Sequence, residues 1–135
     1  MTPAEVLKRE QAKAQREKLE LAFLQQIRAE KLDKCAQMYR QARFWPGRKY
    51  AFDFAWPRME VQPRGSMAQF VGGVAVEIDG LTQAGGRHQT IKGYSEDCTK
   101  INEAALRGWL VLRVTSQHIK SGQAIEWLRR ALAAL

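Results

Sequence analysis

The stretch VAVEIDG, residues 74–80, decides how the rest of the chain is interpreted. It begins as an apolar, β-branched run, which predicts a strand buried on both faces. Glu77 and Asp79 follow two residues apart, so on a strand they point to the same side. Two like charges there are costly unless a cation joins them, and Mg²⁺ prefers carboxylate oxygens. The competing interpretation is a strand that ends in an ordinary Asp-Gly turn, with Glu77 on a solvated edge.

Composition indicates one basic domain. The chain has 135 residues and a formal net charge of +8, which favours a polyanionic partner, most often nucleic acid. The excess is densest in residues 32–70, where seven Lys or Arg face three acids. The sequence contains no long apolar stretch and no signal-peptide pattern, so we expect a cytoplasmic protein that does not associate with a membrane.

Residues 3–31 predict one long helix, with Thr2 as its cap and Pro3 at its first position. Its first half is polar almost all round, which is typical of a solvated helix or of one that binds a partner or nucleic acid. Its second half is amphipathic, with Leu19, Phe23, Leu24 and Ile27 at helical spacing. Glu20 lies among these apolar residues and becomes important if the helix packs beside the carboxylate strand.

A second strand carries another acid. After a short strand near residues 38–44 and a turn, residues 50–56 alternate Tyr50, Phe52, Phe54 and Trp56 with Ala51, Asp53 and Ala55. Strict alternation predicts the aromatic residues on one face and Asp53 on the other. If this strand pairs antiparallel with residues 74–79, Asp53 comes close to Glu77 and Asp79. A buried acid between alanines indicates either a functional site or a satisfied structural carboxylate.

The rest of the chain predicts an α/β fold with a mixed sheet. A glycine-rich loop at 81–93 precedes a helix from about Ser95, its expected N-cap, to Arg107. A buried strand at 109–114 and a last helix from about Ser121 to Leu135 follow. The strand–helix–strand unit makes the last strand parallel to the Glu77 strand. Helices would then cover the sheet, preceded by an extended N-terminal helix.

These residue types fit phosphodiester hydrolysis. Asp53, Glu77 and the backbone carbonyl of Ile78 could hold a metal that neutralises the phosphate and activates water. A nearby cation would orient that water or stabilise the developing charge. Lys100, on the following helix, and Arg87 or His88, in the glycine loop, could supply it.

Several short runs in this order resemble the PD-(D/E)XK superfamily of endonucleases, and above all the branch similar to very-short-patch-repair endonucleases of bacteria and phages. The runs are Leu19-Glu20-x-x-Phe23, Asp53-Phe54-Ala55-Trp56-Pro57, Val76-Glu77-Ile78-Asp79-Gly80, Gly86-Arg87-His88, Asp97-x-x-Lys100-x-Asn102 and Gly108-Trp109-x-Val111-Leu112-Arg113. The resemblance covers residues 18–135 as one nuclease domain and leaves 1–17 as a helical extension.

The resemblance implies a restriction-endonuclease-like αβββαβ core and Mg²⁺-dependent cleavage of DNA, with Mn²⁺ as a substitute, in a bacterial or phage-infected cell. The superfamily places lysine where this chain has Asp79. Lys100 could replace that lysine from the helix, and Asp79 could bind a second metal or anchor the turn. The missing lysine also motivates an alternative, a catalytically inactive nuclease fold that binds nucleic acid or serves in assembly.

Further site residues complete the prediction. Glu20 is a candidate outer-shell residue or general base, and His88 a candidate catalytic residue. The N-terminal helix could mediate a homodimer or bind a protein partner. Phosphate contacts are expected from five basic residues, which are Arg48, Arg58, Arg64, Arg87 and Lys92.

Overall fold

The computed structural model describes residues 1–58, 60–61, 69–70, 72–79 and 91–135, and of 60, 61, 69 and 70 only the backbone. Five helices and six strands lie in these ranges. The helices are α1 (Pro3–Ala29), α2 (Leu32–Cys35), α3 (Ile91–Leu106), α4 (Ser116–Ser121) and α5 (Gln123–Ala133). The strands are β1 (Tyr39–Arg43), β2 (Ala51–Pro57), β3 (Glu60–Val61), β4 (Gln69–Phe70), β5 (Gly73–Ile78) and β6 (Trp109–Val114).

The main sheet is mixed, and its four strands lie in the order β1-β2-β5-β6. β2 pairs antiparallel with both β1 and β5, whereas β6 runs parallel to β5. The predicted α/β fold with a mixed sheet, flanking helices and a long N-terminal helix is therefore confirmed. β3 and β4 form a separate two-stranded hairpin.

The backbones of β2 and β5 lie close together at Gly73. A Cβ atom at this position would lie 2.2 Å from the Trp56 carbonyl oxygen, so the backbone contact leaves room for glycine alone. From there the ladder runs through to the pair formed by Phe54 and Val76.

The long helix α1 divides into an exposed half and a packed half. Thr2 and Glu5 form a capping box at its start, and Pro3 occupies the first turn, as predicted. Every residue from 1 to 18 is exposed, whereas Glu20, Phe23, Leu24 and Ile27 are buried. The predicted change from a polar to an amphipathic helix is confirmed, because the packed half covers the sheet and the other half projects beyond it.

Two apolar clusters cover the two faces of the sheet. The larger joins α1, α4 and α5 to Phe54, Trp56, Val74 and Val76. The smaller, which includes Ala104 of α3, contains Phe52, Ala55, Ala75 and Trp109. Phe52 and Phe54 therefore lie on opposite sides. The prediction that strict alternation places them on one face is wrong, because the face pattern changes between Asp53 and Phe54.

Two helix predictions need correction. α3 includes Ile91, so Ser95 is not its N-cap; the Ser95 carbonyl accepts a hydrogen bond from the Thr99 hydroxyl within the helix. The predicted last helix, from about Ser121 to Leu135, corresponds to α5, whereas the short helix α4 before it was not predicted; Gly122, in a left-handed conformation (φ 83°), separates the two. Within the described residues, no helix combines the length and the apolar character that a membrane span requires.

Candidate active site

Asp53 lies at the centre of the predicted site and is buried, with 3% of its surface exposed. Its Oδ2 atom accepts a hydrogen bond from the Ile78 backbone N–H at 2.7 Å. Its Oδ1 atom lies 3.4 Å from the Gln41 side-chain nitrogen and 3.6 Å from the Arg16 guanidinium. The Asp53 carboxylate thus binds the end of β5 directly, and the prediction that the two strands bring it beside the Glu77 stretch is confirmed.

Gln41 explains how Asp53 comes to face α1. It lies in β1 between the pairs Arg40–Phe54 and Ala42–Phe52, in the position opposite Asp53. Its backbone is left-handed (φ 49°), which is unusual for a residue other than glycine. This local turn coincides with the change of face in β2, so both side chains point toward α1.

Glu20 is the buried acid that α1 contributes. Its Oε1 atom accepts a hydrogen bond of 2.9 Å from the Gln41 amide. Burial raises the pKa of Glu20 above its ordinary value, and a hydrogen bond with Asp53 and the charge of Asp53 raise it further. The positive charges of Arg40 and Arg16 act in the opposite direction. Glu20 and Asp53 therefore form a carboxyl pair linked by one amide.

Glu77 and Lys100 form a second pair, in which α3 brings the lysine to the end of β5. The Lys100 ammonium lies 2.7 Å from Glu77 Oε2 and also donates to the Ala51 carbonyl at 3.0 Å. Glu77 Oε1 is buried and has no hydrogen-bond partner among the described residues. Burial raises the pKa of Glu77, the charge of Lys100 and its hydrogen bond oppose that rise, and the charge of Asp53 adds to it.

Lys100 is paired with Glu77 and mostly buried, unlike an ordinary solvated lysine on a helix surface. Both side chains of the Glu77–Lys100 pair are only 15% exposed. Asp97 instead approaches Arg113 at 3.6 Å. Lys100 therefore lies beside Glu77, and its predicted part as a replacement for the strand lysine stays a prediction.

Asp79 has a different environment from the other acids. Its Oδ2 atom lies 3.6 Å from the Arg113 guanidinium, and its backbone N–H donates to the Val114 carbonyl at 2.8 Å. These contacts join the end of β5 to β6 and fit the interpretation of Asp79 as an anchor for the turn. Its predicted part in metal binding stays a prediction.

A hard divalent cation needs several oxygen ligands close to one another. In the described ranges no three Asp, Glu, His or Cys side chains gather closely enough to form a complete ligand group. Asp53 and Glu77 nevertheless bring carboxylates to the same strand ends, and Glu77 Oε1 is a buried oxygen with no other partner. The residues fit a cation held by two carboxylates and backbone oxygen, with its remaining ligands from water or substrate.

The three predicted phosphate-binding residues that the structure describes do not form one group. Arg48 lies over the rings of Trp45 and Tyr50, in the turn before β2. Arg58 follows the opposite end of β2, where its N–H donates to the Gly72 carbonyl, about 16 Å along the strand from Asp53. Lys92 is exposed in the first turn of α3 rather than in a loop. Arg64, Arg87 and His88 lie outside the described residues.

Sequence reasoning missed two residues of the site, Gln41 and Arg16. Gln41 lies in a predicted strand, where alternation gives no sign of a left-handed backbone. Arg16 belongs to the polar half of α1, but its spacing of four residues from Glu20 places both on one helix face. That spacing could have identified Arg16 once Glu20 was suspected.

Comparisons of the chain with protein-family models, with curated proteins and with solved structures found no match in any of the three. The resemblance to PD-(D/E)XK endonucleases accordingly stays a prediction from the motifs.

Proposed function

We propose that this protein is a metal-dependent DNA endonuclease of the PD-(D/E)XK type. The observation that carries the proposal is the Glu77–Lys100 pair beside Asp53. A buried carboxylate with one unpartnered oxygen, a lysine bound to its other oxygen and a second acid on the adjacent strand match the groups that phosphodiester hydrolysis needs. The net charge of +8 supports a polyanionic substrate.

Asp53, Glu77 and the Ile78 carbonyl would hold the cation. Mg²⁺, or Mn²⁺ in its place, would supply positive charge at the phosphate and acidify a water molecule. Asp53 is oriented for this role by the Ile78 N–H and by Gln41, which fix its two oxygens from different sides.

Lys100 has two tasks in this proposal. Its ammonium favours the ionised form of Glu77, which burial disfavours. The same ammonium would orient the attacking water or stabilise the negative charge that develops on the phosphate. The bond to the Ala51 carbonyl holds the lysine at the strand ends, where both tasks can be carried out.

Glu20 and Arg16 complete the site from the α1 side. Burial and Asp53 raise the pKa of Glu20, the direction that suits a general acid or base, and we assign Glu20 that role. Arg16, whose side chain is 52% exposed, can reach a phosphate while it remains beside Asp53.

A second candidate is a nuclease fold that binds DNA without cutting it. It is favoured by Asp79, which stands at the superfamily's lysine position, and by the lack of a complete three-residue ligand group within the described residues. Both candidates predict DNA binding, and they differ in cleavage.

Cleavage of plasmid, mismatched and branched DNA, measured with Mg²⁺, with Mn²⁺ and with EDTA, tests the proposal. We expect cutting with either metal and none with EDTA. Glu77→Gln and Lys100→Met should each lower the rate about 10²-fold or more. Glu126→Gln, on α5, is the matched control and should cut normally. If the folded wild-type protein binds these DNAs and cuts none of them with either metal, the second candidate replaces the first.

A further inference from the structure

The exposed half of α1 carries three cations on one helix face. Arg9, Lys13 and Arg16 follow one another at spacings of four and three residues, which on a helix with 3.6 residues per turn places them in one row. The same spacing continues to Glu20 and Phe23, which are buried against the sheet. We call Arg9, Lys13 and Arg16 the basic track.

The basic track begins at the candidate active site. Arg16 lies 3.6 Å from Asp53 Oδ1. At 1.5 Å per residue, Lys13 lies about 4.5 Å and Arg9 about 10 Å farther along the helix axis. The row of charges therefore leads outward from the site without a break.

Packing within the chain does not account for the track. Every residue from 1 to 18 is exposed, and across the described ranges no carboxylate forms an ion pair with Arg9 or Lys13. Acids stand beside the track, since Glu5 precedes Arg9 by four residues, and Glu10 and Glu17 stand three residues before and four after Lys13. The Glu5 carboxylate binds the Thr2 backbone in the cap, and among the described residues Glu10 and Glu17 form no ion pair with the track. Arg9 and Lys13 consequently keep positive charges that no described carboxylate pairs with.

We propose that the basic track binds the phosphate backbone of double-stranded DNA that leads away from the site. The inference rests on the proposed function, because the bound duplex is the substrate of that site. Three cations spread over about 10 Å can meet about three successive phosphates of one strand, which follow at about 3.4 Å along a duplex. A straight, rigid helix matches the regular spacing of a duplex, and phosphate contacts of this kind set the register of the DNA without reading its sequence.

The test compares two charge-matched double variants of the full chain, with binding to a labelled duplex followed by fluorescence anisotropy in EDTA. Arg9→Ala with Lys13→Ala shortens the track. Lys8→Ala with Lys18→Ala removes the same charge from other faces of α1. We expect the first variant to bind roughly tenfold more weakly and to lower the slope of log K against log salt by about two. The second should stay within about twofold of the wild type.

Equal losses of DNA affinity in both double variants, or no loss in Arg9→Ala with Lys13→Ala, would overturn the proposal for the basic track. A loss confined to single-stranded DNA would overturn the choice of duplex. The two proposals fail separately because binding is measured without metal. If wild type cuts DNA and the first variant binds normally, the track fails alone. If wild type cuts nothing and only the first variant loses binding, the nuclease proposal fails alone.

Discussion

Asp53 and Glu77 are carboxylates on neighbouring strands, but their surroundings differ. Asp53 has polar partners at both oxygens, which come from β5, from β1 and from α1. Glu77 has the Lys100 ammonium at one oxygen and no partner at the other. Asp53 therefore contributes to holding the strands and α1 together, whereas the surroundings of Glu77 satisfy only part of its bonding capacity.

The difference indicates where a ligand would contribute the most. A buried oxygen without a partner costs free energy in the folded protein, and a cation that binds it would recover that cost. A bound cation would stabilise Asp53 less, because the donors already around Asp53 compensate its charge. The incomplete environment of Glu77 is thus the stronger sign of function, and the complete environment of Asp53 is the stronger contribution to stability.

Removal of each carboxylate should separate the two roles most clearly. Asp53→Ala leaves the Ile78 N–H buried without a partner and frees Gln41 and Arg16, so we expect a loss of about 3 kcal/mol in the free energy of unfolding. Glu77→Gln keeps an acceptor for Lys100 and should cost about 1 kcal/mol or less. Chemical denaturation measures both values, and equal losses would contradict the comparison.

The Lys100–Glu77 pair should make stability depend on pH in a defined way. Because the pKa of folded Glu77 is raised above 4.5, the folded state holds a proton that the unfolded state releases, so this contribution is present below pH 4.5 and is lost as pH rises through the folded pKa. Lys100→Met removes the ammonium that limits this rise. The variant should match the wild type most closely below pH 4.5 and be less stable by about 1–2 kcal/mol at neutral pH.

Denaturation curves at several pH values test this prediction. Glu77→Gln combined with Lys100→Met is the control, since it has no carboxylate at this position. Its loss of unfolding free energy relative to the wild type should not grow as pH rises. A deficit in Lys100→Met that stays constant from acidic to neutral pH would show that the lysine acts by packing alone.

The smallest expected effect on stability comes from substitution of Gln41, whose amide is a partner of Asp53. Gln41→Gly removes the amide but relieves the left-handed backbone, so the two contributions should nearly cancel, to within about 1 kcal/mol. Gln41→Ala removes the amide and keeps the strain, and should be less stable than the glycine variant by about 1 kcal/mol. Denaturation of the two proteins gives this difference directly, and identical stabilities would mean that the backbone at 41 is unstrained.

Much of this fold could be predicted because local signals agree with one another. The β-branched run of β5, the alternation around Asp53 and the strand–helix–strand order were enough to predict neighbouring strands and a mixed sheet. The start of α3 was predicted too late, at Ser95, because residue types that cap helices also occur inside them. The short helix α4 was not predicted, because Ile119 is the one apolar residue in its sequence and a helical period cannot be recognised from it.

The site was predicted in part for a related reason. Acids that interrupt apolar elements stand out in a sequence, and Glu20, Asp53 and Glu77 were all identified in this way. Gln41 could not be, because its importance comes from a backbone angle that a strand pattern does not encode. The face pattern of β2 changes opposite this residue, so the assignment of all the aromatic residues of β2 to one face failed there.

The close approach at Gly73 has a mechanical consequence. β2 and β5 are pressed together at this residue, and their ladder ends at Phe54 and Val76, beyond which the Asp53 side chain takes over the bond to β5. Both carboxylates lie about 13 Å along their strands from this contact. A side chain at position 73 would force the backbones of β2 and β5 apart there, and we expect the strain to reach the acids through the shared ladder although it touches neither of them.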